Sequence, residues 1–343
     1  MITVINSGLF STIQDAGRWG YQAYGMPVAG AMDLFSCQVA NLLVGNQPQA
    51  AVIEMTLSGG SFQFEQECYV AIAGSDMEAT MNGVPVANWS AFCVPAGGEL
   101  VFSYAVTGCR TYLAVYGGID VPLVLGSRAT YTRAGIGGLE GRALKRGDIL
   151  KGGKGAKKSA IPRILKKQYI PQYASEVELR VLLGPQDDLF TAQGIQTFFS
   201  ATYTISTDAD RMGYRLEGPA VEHSTKADIV SDALCQGAIQ VPGHGVPIIM
   251  MADRQTTGGY TKIGAVIGSD LALLAQARPG DTVRFIECTD EEAVAALRDN
   301  ENTYLAVKAE LDNWASTSDG MGVVRTLLVT INGQTYNVEI EER

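Results

Sequence analysis

Histidine is scarce in this chain, which has only His223 and His244 among its 343 residues. A metal site of three histidines is therefore excluded, and a Ser-His-Asp arrangement would have to use one of these two. Because buried or hydrogen-bonded histidines outnumber catalytic ones, we expect a structural role for His223. His244 lies in the turn Pro242-Gly243-His244-Gly245, directly before an apolar run, and is a candidate substrate-binding residue. We predict no metal site.

Paired cysteines, a leader segment and long apolar runs are also absent. The six cysteines are scattered without a Cys-x-x-Cys motif, so neither a zinc site nor a disulfide scaffold is indicated. The first residues lack a basic region followed by an apolar stretch, and no run approaches the ~18 apolar residues that span a bilayer. We therefore expect reduced, buried thiols in a cytoplasmic protein that does not contact membranes.

Positive charge is in short supply. The chain has 26 lysines and arginines against 36 aspartates and glutamates, which gives a net charge of −10 and a pI near 4.8. Nothing would offset the repulsion from phosphate groups, so we expect neither nucleic acid nor an anionic membrane as a partner.

Glycine, by contrast, is abundant, with 39 residues that recur beside short apolar runs. Such runs predict many short strands joined by tight turns. Helices are predicted over 34–44 and 189–199, each after an aspartate that could cap it, and over 269–277. The capping box Thr289-x-x-Glu292 predicts a further helix start. The sequence thus indicates a mainly β fold with a few helices.

Landmarks recur in the same order in the two halves of the chain. Asp33-Leu34-Phe35 corresponds to Asp188-Leu189-Phe190, and 126–130 corresponds to 252–256. Three further pairs of glycine- or proline-containing turns keep this order. The pattern indicates duplication of one β-rich unit, with chance matches among glycine-rich turns as the alternative.

These features divide the chain into four predicted segments. They are a first β-barrel over 1–165, a second β-barrel over 166–288, a helical segment over 289–315, and a linker with a β-hairpin over 316–343. In the last segment Asn332-Gly333 favours a two-residue turn. A lone hairpin is marginal in water, so it should pair with the body of the protein, with another protein chain, or with nothing.

The densest polar chemistry follows the apolar run 246–252. The segment Asp253-Arg254-Gln255-Thr256-Thr257-Gly258-Gly259-Tyr260 combines a carboxylate, a guanidinium, an amide, hydroxyls and a phenol, and Lys262 follows at once. Such density favours a site over a piece of core. The candidates from this segment are Gln255, Tyr260 and Lys262 for catalysis, and Arg254 and Thr256 for substrate binding.

Two other clusters supply the remaining candidates. Within 208–219, Arg211 and Arg215 could clamp a carboxylate or phosphoryl group, or could form an ion-pair network with neighbouring acidic residues. In the glycine-rich loop 14–33, Asp15 is a candidate catalytic residue and Arg18 a candidate substrate-binding residue, unless the pair only stiffens the loop. These residue types suit the positioning and charge stabilisation of an oxyanion or a carboxylate.

Taken together, these stretches resemble the allophanate hydrolase subunit 2 family, also known as KipA, whose members include the C-type subunit of the prokaryotic ATP-dependent 5-oxoprolinase. The matching motifs are Gln14-Asp15-x-Gly17-Arg18-x-Gly20-Tyr21, Gly30-Ala31-Met32-Asp33, Asn41 with Asn46 and Glu54, Gly137-Gly138-x-Glu140-Gly141-Arg142, Arg211-Met212-Gly213-Tyr214-Arg215-Leu216, Gly237-Ala238-Ile239-Gln240-Val241-Pro242, and Asp253 to Tyr260. They cover residues 1 to roughly 288 and are highly specific when taken jointly.

The resemblance implies tandem cyclophilin-like β-barrels, related to one half of the carboxyltransferase component of urea carboxylase. The partners it implies are a KipI-like subunit, of the allophanate hydrolase subunit 1 type, together with a LamB/YcsF-like subunit. The implied reaction is the opening of 5-oxoproline to glutamate, with ATP consumed at the level of the complex. The alternatives are carboxyl transfer to a urea-like amide from biotin carried by another chain, and a regulatory role in which the chain sequesters a KipI-like kinase inhibitor.

The resemblance further implies that the candidate residues of the second half hold the carboxylate and lactam oxygens of the substrate, while Asp15 and Arg18 line the same cleft. Two features depart from the family. Tyr131 stands where an aspartate is more usual. The tail from Arg325 resembles the first hairpin of a biotin carrier domain but lacks the Met-Lys-Met segment that would take biotin. We expect the polar segment to form one wall of a cleft, completed by the first half or by a partner.

Overall fold

The computed structural model describes residues 1–152, 162–317, 324–331 and 334–341, with side chains described through Asp312. The described residues form four α-helices, α1 (Leu34–Val44), α2 (Ala192–Ser200), α3 (Leu271–Gln276) and α4 (Asp290–Thr317). No helix in these ranges is both long enough and apolar enough to cross a membrane.

Strands dominate the architecture, and they fall into two units and a hairpin. The strands of the first unit are β1 (Ile2–Asn6), β2 (Phe10–Gln14), β3 (Val52–Thr56), β4 (Ser61–Phe64), β5 (Cys68–Asp76), β6 (Thr80–Met81), β7 (Val84–Pro85), β8 (Ser90–Val94), β9 (Glu99–Val101), β10 (Thr107–Val115), β11 (Ile119–Asp120), β12 (Ile149–Gly152) and β13 (Arg163–Ile164). Those of the second unit are β14 (Glu176–Leu183), β15 (Thr202–Ile205), β16 (Gly213–Glu217), β17 (Asp228–Ala233), β18 (Ala238–Val241), β19 (Ile248–Met250), β20 (Thr257–Val266) and β21 (Thr282–Glu287). The hairpin is formed by β22 (Val324–Ile331) and β23 (Gln334–Glu341). The prediction of a mainly β chain is confirmed.

The first unit consists of two sheets around a shared apolar core. One sheet has the strand order β11-β12-β1-β4-β9-β6-β7, and the other has the order β13-β8-β5-β10-β3-β2. Because side chains alternate along a strand, each sheet contributes one apolar face, with Ile2 and Phe62 from the first meeting Ile72 and Leu113 from the second. The opposite face of the second sheet packs against α1, and α4 covers the same cluster through Val307 and Leu311.

The second unit is a closed barrel. Seven strands follow the order β14-β21-β15-β16-β19-β18-β20, and β20 returns to pair with β14. The β14–β21 pair is parallel, with Glu176 opposite Thr282. Strand β17 adds to the outside of β20 as an edge strand. The barrel predicted for this half of the chain is confirmed, while the predicted domain boundaries remain predictions.

Helix starts show where local sequence signals held and where one was wrong. The Asp33 side chain caps α1 by accepting the Ser36 amide hydrogen at 3.0 Å. The Thr289–Glu292 capping box also forms, at 2.9 and 3.3 Å. The helix predicted over 189–199 instead begins at Ala192, because the side chain of Thr191 accepts the cap bond and the preceding backbone is extended in a bridge to His223.

The C-terminal hairpin forms as the sequence predicts. Strands β22 and β23 pair in antiparallel register, and Ile331 and Gln334 are the last partners before the turn. The turn residues Asn332 and Gly333 lie outside the described residues.

Gln276, the last residue of α3, joins the two units. Its Oε1 accepts the amide hydrogens of Cys109 and Arg110 at 2.9 and 2.8 Å. Its Nε2 donates to Asp33 Oδ2 at 2.8 Å and to the Arg110 carbonyl at 3.0 Å. One buried amide therefore satisfies two strand amides of the first unit and the carboxylate that caps α1, which holds the faces of the two units in register.

Candidate functional site

Arg211 lies at the centre of a buried ion-pair network between the units. Its Nε and Nη2 donate to the two oxygens of Asp253 at 3.0 and 2.9 Å, and Nη2 also donates to the Gly30 carbonyl at 2.6 Å. Its Nη1 donates to Glu54 Oε1. Burial alone would lower the pKa of Arg211, but the two carboxylates raise it above its usual value. All three guanidinium nitrogens thus have acceptors within the protein, and these contacts support joining of the units rather than the predicted anion clamp.

Asp15 and Arg18 hold the glycine-rich loop against the chain near Ser127. Asp15 accepts hydrogen bonds from Ser127 Oγ at 2.7 Å and from the Arg128 amide at 2.6 Å. Arg18 donates from Nε to the Val124 carbonyl at 3.0 Å, and its Nη2 donates at 2.8 Å to a carbonyl two residues beyond Ser127. Both side chains are buried. The arrangement is the loop-stiffening alternative, although Arg18 and Asp15 use separate anchors rather than an ion pair with each other.

A groove opens between this loop and the polar segment of the second unit. It has a volume of about 790 Å³. The first unit lines it with Trp19, Gln22, Ala23 and Gly25, and the second with Ala233, Leu234, Cys235, Gln236, Arg254, Thr256 and Thr257. The expected cleft, with one wall from each half, is therefore present. Among its described lining residues there is no aspartate, glutamate or histidine.

Arg254 is the charged residue of the groove. Only 7 % of its surface is exposed, and it donates from Nε to the Leu234 carbonyl and from Nη1 to the Met251 carbonyl, both at 3.2 Å. Burial lowers the pKa of Arg254, opposed only weakly by the Cys235 thiol. The groove therefore has a cation on its wall that is fixed in direction by two carbonyls.

The other candidates of the polar segment do not line this groove. Strand β20 begins at Thr257, so the side chains beyond it alternate between faces. Lys262 is buried on the strand and pairs with Asp232 at 3.3 Å. Tyr260 is exposed opposite Asp228, and Gln255 is half-buried before the strand.

Arg215 and His244 lie apart from the groove as well. Arg215 follows the buried Tyr214 on β16, so it points out of the barrel, and its Nη1 donates to the Asp208 carbonyl at 2.6 Å. His244 is exposed in its turn, where Nδ1 accepts the Val246 amide hydrogen at 3.1 Å. The structure thus brings together Arg254 and Thr256 from the predicted set and separates the rest.

The family model described as "Carboxyltransferase domain, subdomain A and B" matches residues 24–287. The chain belongs to this carboxyltransferase-domain family.

Known proteins resemble this carboxyltransferase-domain chain in sequence and in structure. The C-type subunit of 5-oxoprolinase from Escherichia coli is 38% identical over 315 residues, which cover 91% of this chain and 99% of that protein. The urea amidolyase of Saccharomyces cerevisiae is 33% identical over 85% of this chain but only 17% of its own length. The crystal structure of the K. lactis urea amidolyase superposes with a TM-score of 0.84 at 29% identity, covering 89% of this chain and 20% of that one.

Several residues that shape the site in this family member were not among the sequence candidates. Glu54 anchors the ion-pair network, Gln276 joins the units, and Asp232 partners Lys262. A signal existed for Glu54, which is a lone carboxylate within the apolar strand Val52–Thr56. None existed for Asp232 or Gln276, because their roles depend on residues distant in sequence.

Metal ligation finds no support in the described part of this carboxyltransferase-domain chain. No group of three or more His, Cys, Asp or Glu side chains in the described ranges could hold a metal ion.

Cys235 offers a chemical probe of the groove. It is exposed, whereas four of the other cysteines are buried and Cys93 is half-buried. Because the thiolate is the reactive form and burial raises the pKa of Cys68 to about 11, we expect one thiol of the folded chain to react rapidly with iodoacetamide. Cys235→Ser should remove that fast phase in mass-spectrometric counting. Two thiols reacting equally fast would contradict this description of the groove.

Proposed function

We propose that this chain acts as the C-type subunit of a hetero-oligomeric, ATP-dependent 5-oxoprolinase that opens 5-oxo-L-proline to L-glutamate. Its partners would be two further subunits, one KipI-like and one LamB/YcsF-like. The observation that carries the proposal is the match to the E. coli C-type subunit, which runs along 99% of that protein at 38% identity. The match to yeast urea amidolyase is lower in identity and covers 17% of that protein.

The groove is suited to hold a small cyclic amide. Its volume of about 790 Å³ admits a five-membered lactam with room for a neighbouring group. Arg254 and Thr256 can donate to oxygens, and donors aimed at a carbonyl oxygen stabilise the negative charge that develops there during acyl chemistry. No carboxylate or imidazole lines the described walls, so a general base is missing from the groove itself. This composition favours a subunit that binds and orients the lactam while a partner supplies the reacting group.

ATP binding is better placed on another chain of the complex. Backbone amides at a helix N-terminus bind phosphate groups when no other anion occupies them. In the described chain Asp33 caps α1, Glu222 bonds to the capping Thr191 of α2, Asp270 begins α3, and Asp290 begins α4. Each helix start already meets a carboxylate, which would repel a triphosphate. We therefore derive no step through ATP on this chain.

The test is reconstitution with the candidate partners. The full chain is co-expressed with KipI-like and LamB/YcsF-like chains from the same source, the complex is purified, and phosphate release is followed with 5-oxoproline or with urea. We expect co-purification and phosphate release that depends on 5-oxoproline. Release with urea and a biotin carrier chain, but not with 5-oxoproline, would contradict the proposal.

Carboxyl transfer is the second candidate function. The TM-score of 0.84 to the K. lactis urea amidolyase favours it, because the two share a backbone over 89% of this chain. In that case biotin would be carried by another chain, and a urea-like amide would occupy the groove. A third outcome, tight binding of the KipI-like chain with no turnover of any substrate, would favour the regulatory role.

A further inference from the structure

We propose that Arg254 is a carboxylate-binding centre that makes the groove selective for lactams bearing an acid group over neutral amides. For the identity of the physiological ligand this rests on the proposed function, but the carboxylate selectivity itself is a property of the groove and can be measured without turnover.

The first step is that Arg254 is a buried cation without a counter-ion. Arg142, Arg180 and Arg211 each meet a carboxylate at or below 2.9 Å. Arg254 is as enclosed as Arg211, yet no ion pair includes it within the described ranges. Burying a charged group without a partner is costly, so such a group gains strongly from an anion that reaches it.

The second step is that the guanidinium is held in place with one nitrogen unused. The carbonyls of Leu234 and Met251 accept from Nε and Nη1, which fixes the plane of the guanidinium. Nη2 makes no hydrogen bond to any part of the chain that the structure describes. Because Arg254 lines the groove, a ligand there can accept from Nη2 without breaking the two carbonyl bonds.

The third step is that nothing else on the described walls competes for this cation or repels an acid. The lining residues are neutral apart from Arg254. Trp19 offers an exposed indole face, 62 % accessible, whose Nε1 donates to the Ala16 carbonyl. A flat five-membered ring with a carboxylate can therefore meet an apolar wall and a cation in the same groove. Urea has no group that would use Arg254 as an anion site.

The experiment compares two ligands on the purified full chain. 5-Oxoproline and 2-pyrrolidinone share the lactam ring, but only the first has a carboxylate. Their binding is measured by calorimetry and by the slowing of iodoacetamide reaction at Cys235, with wild type, Arg254→Gln and the matched control Arg284→Gln. Arg284 is an exposed residue on β21 that pairs loosely with Glu178.

We expect Arg254→Gln to weaken 5-oxoproline binding by roughly 10- to 100-fold, since a charge-assisted hydrogen bond contributes about 1.5–3 kcal/mol. Binding of 2-pyrrolidinone should be weak and equal in all three proteins, and Arg284→Gln should match wild type. Arg254→Lys, which keeps the charge but cannot reproduce the fork, should fall between wild type and Arg254→Gln. It also serves as the test variant if thermal unfolding shows that Arg254→Gln is not folded.

The outcomes separate this inference from the proposed function. Equal 5-oxoproline affinity in wild type and the Arg254 variants, or no binding to wild type, would overturn the inference even if the complex is an active 5-oxoprolinase. Arg254-dependent binding with an inactive complex would leave the inference standing while the proposed function fails. If the variants instead weaken association with the KipI-like chain about 10-fold, the anion is an acidic side chain of the partner, and the small-molecule assignment is wrong.

Discussion

Arg211→Met should lower the free energy of unfolding by about 3–5 kcal/mol, because it leaves Glu54 and Asp253 as buried carboxylates without their cation. The loss exceeds that of a surface pair because all three groups are almost fully enclosed, so water cannot replace the missing guanidinium. The free energy is measured by urea unfolding followed by circular dichroism. Separate transitions for the two units would place the loss in the transition that separates them.

Two controls show whether the network is responsible. Arg284→Met removes an exposed arginine whose partner lies at 3.6 Å, and it should change stability by less than about 1 kcal/mol. Combining Arg211→Met with Glu54→Gln and Asp253→Asn should recover part of the loss, since the uncompensated charges are then gone. A triple variant that is less stable than the single variant by a further several kcal/mol would contradict this explanation.

Gln276→Leu should cost roughly 3 kcal/mol or more, because it leaves the Cys109 and Arg110 amides buried without an acceptor, at about 1–3 kcal/mol each. It also removes the donor to Asp33, a carboxyl group whose pKa burial raises and the Gln276 hydrogen bond helps to lower. Thermal unfolding should show a loss of several degrees.

A glutamate at the same position tests the chemistry of this contact. Gln276→Glu keeps an acceptor for both amides but places a second carboxylate against Asp33. One of the two must then bind a proton, so the folded state has a raised pKa relative to the unfolded chain. Stability of Gln276→Glu should therefore fall as the pH rises through that pKa and recover at lower pH. As a control, Gln193→Leu on the exposed face of α2 should be within about 0.5 kcal/mol of wild type.

Local signals in the sequence were sufficient for the elements of this fold. Short β-branched runs became strands, the Thr289 capping box starts α4, and the residues around Asn332-Gly333 pair as a hairpin. The exception is α2, where Thr191 and not Asp188 provides the cap. Two candidate caps three residues apart cannot be ranked from local sequence, because the bridge between Phe190 and His223 decides between them.

The candidate site was only half predictable, for a physical reason. The polar segment and the glycine-rich loop do face each other across a groove. Sequence could not show which arginine has a free donor. Arg211 is saturated by Glu54 and Asp253, whereas Arg254 reaches only carbonyls. That difference depends on partners contributed by other strands, and the strand start at Thr257 then sends Tyr260 and Lys262 away from Arg254.

The most direct test of the account is glutamate formation by the reconstituted complex, measured with isotopically labelled 5-oxoproline in the presence of ATP. The account predicts labelled glutamate in proportion to the phosphate released, and none when this chain is omitted from the mixture. Glutamate formation that continues unchanged without this chain would contradict it.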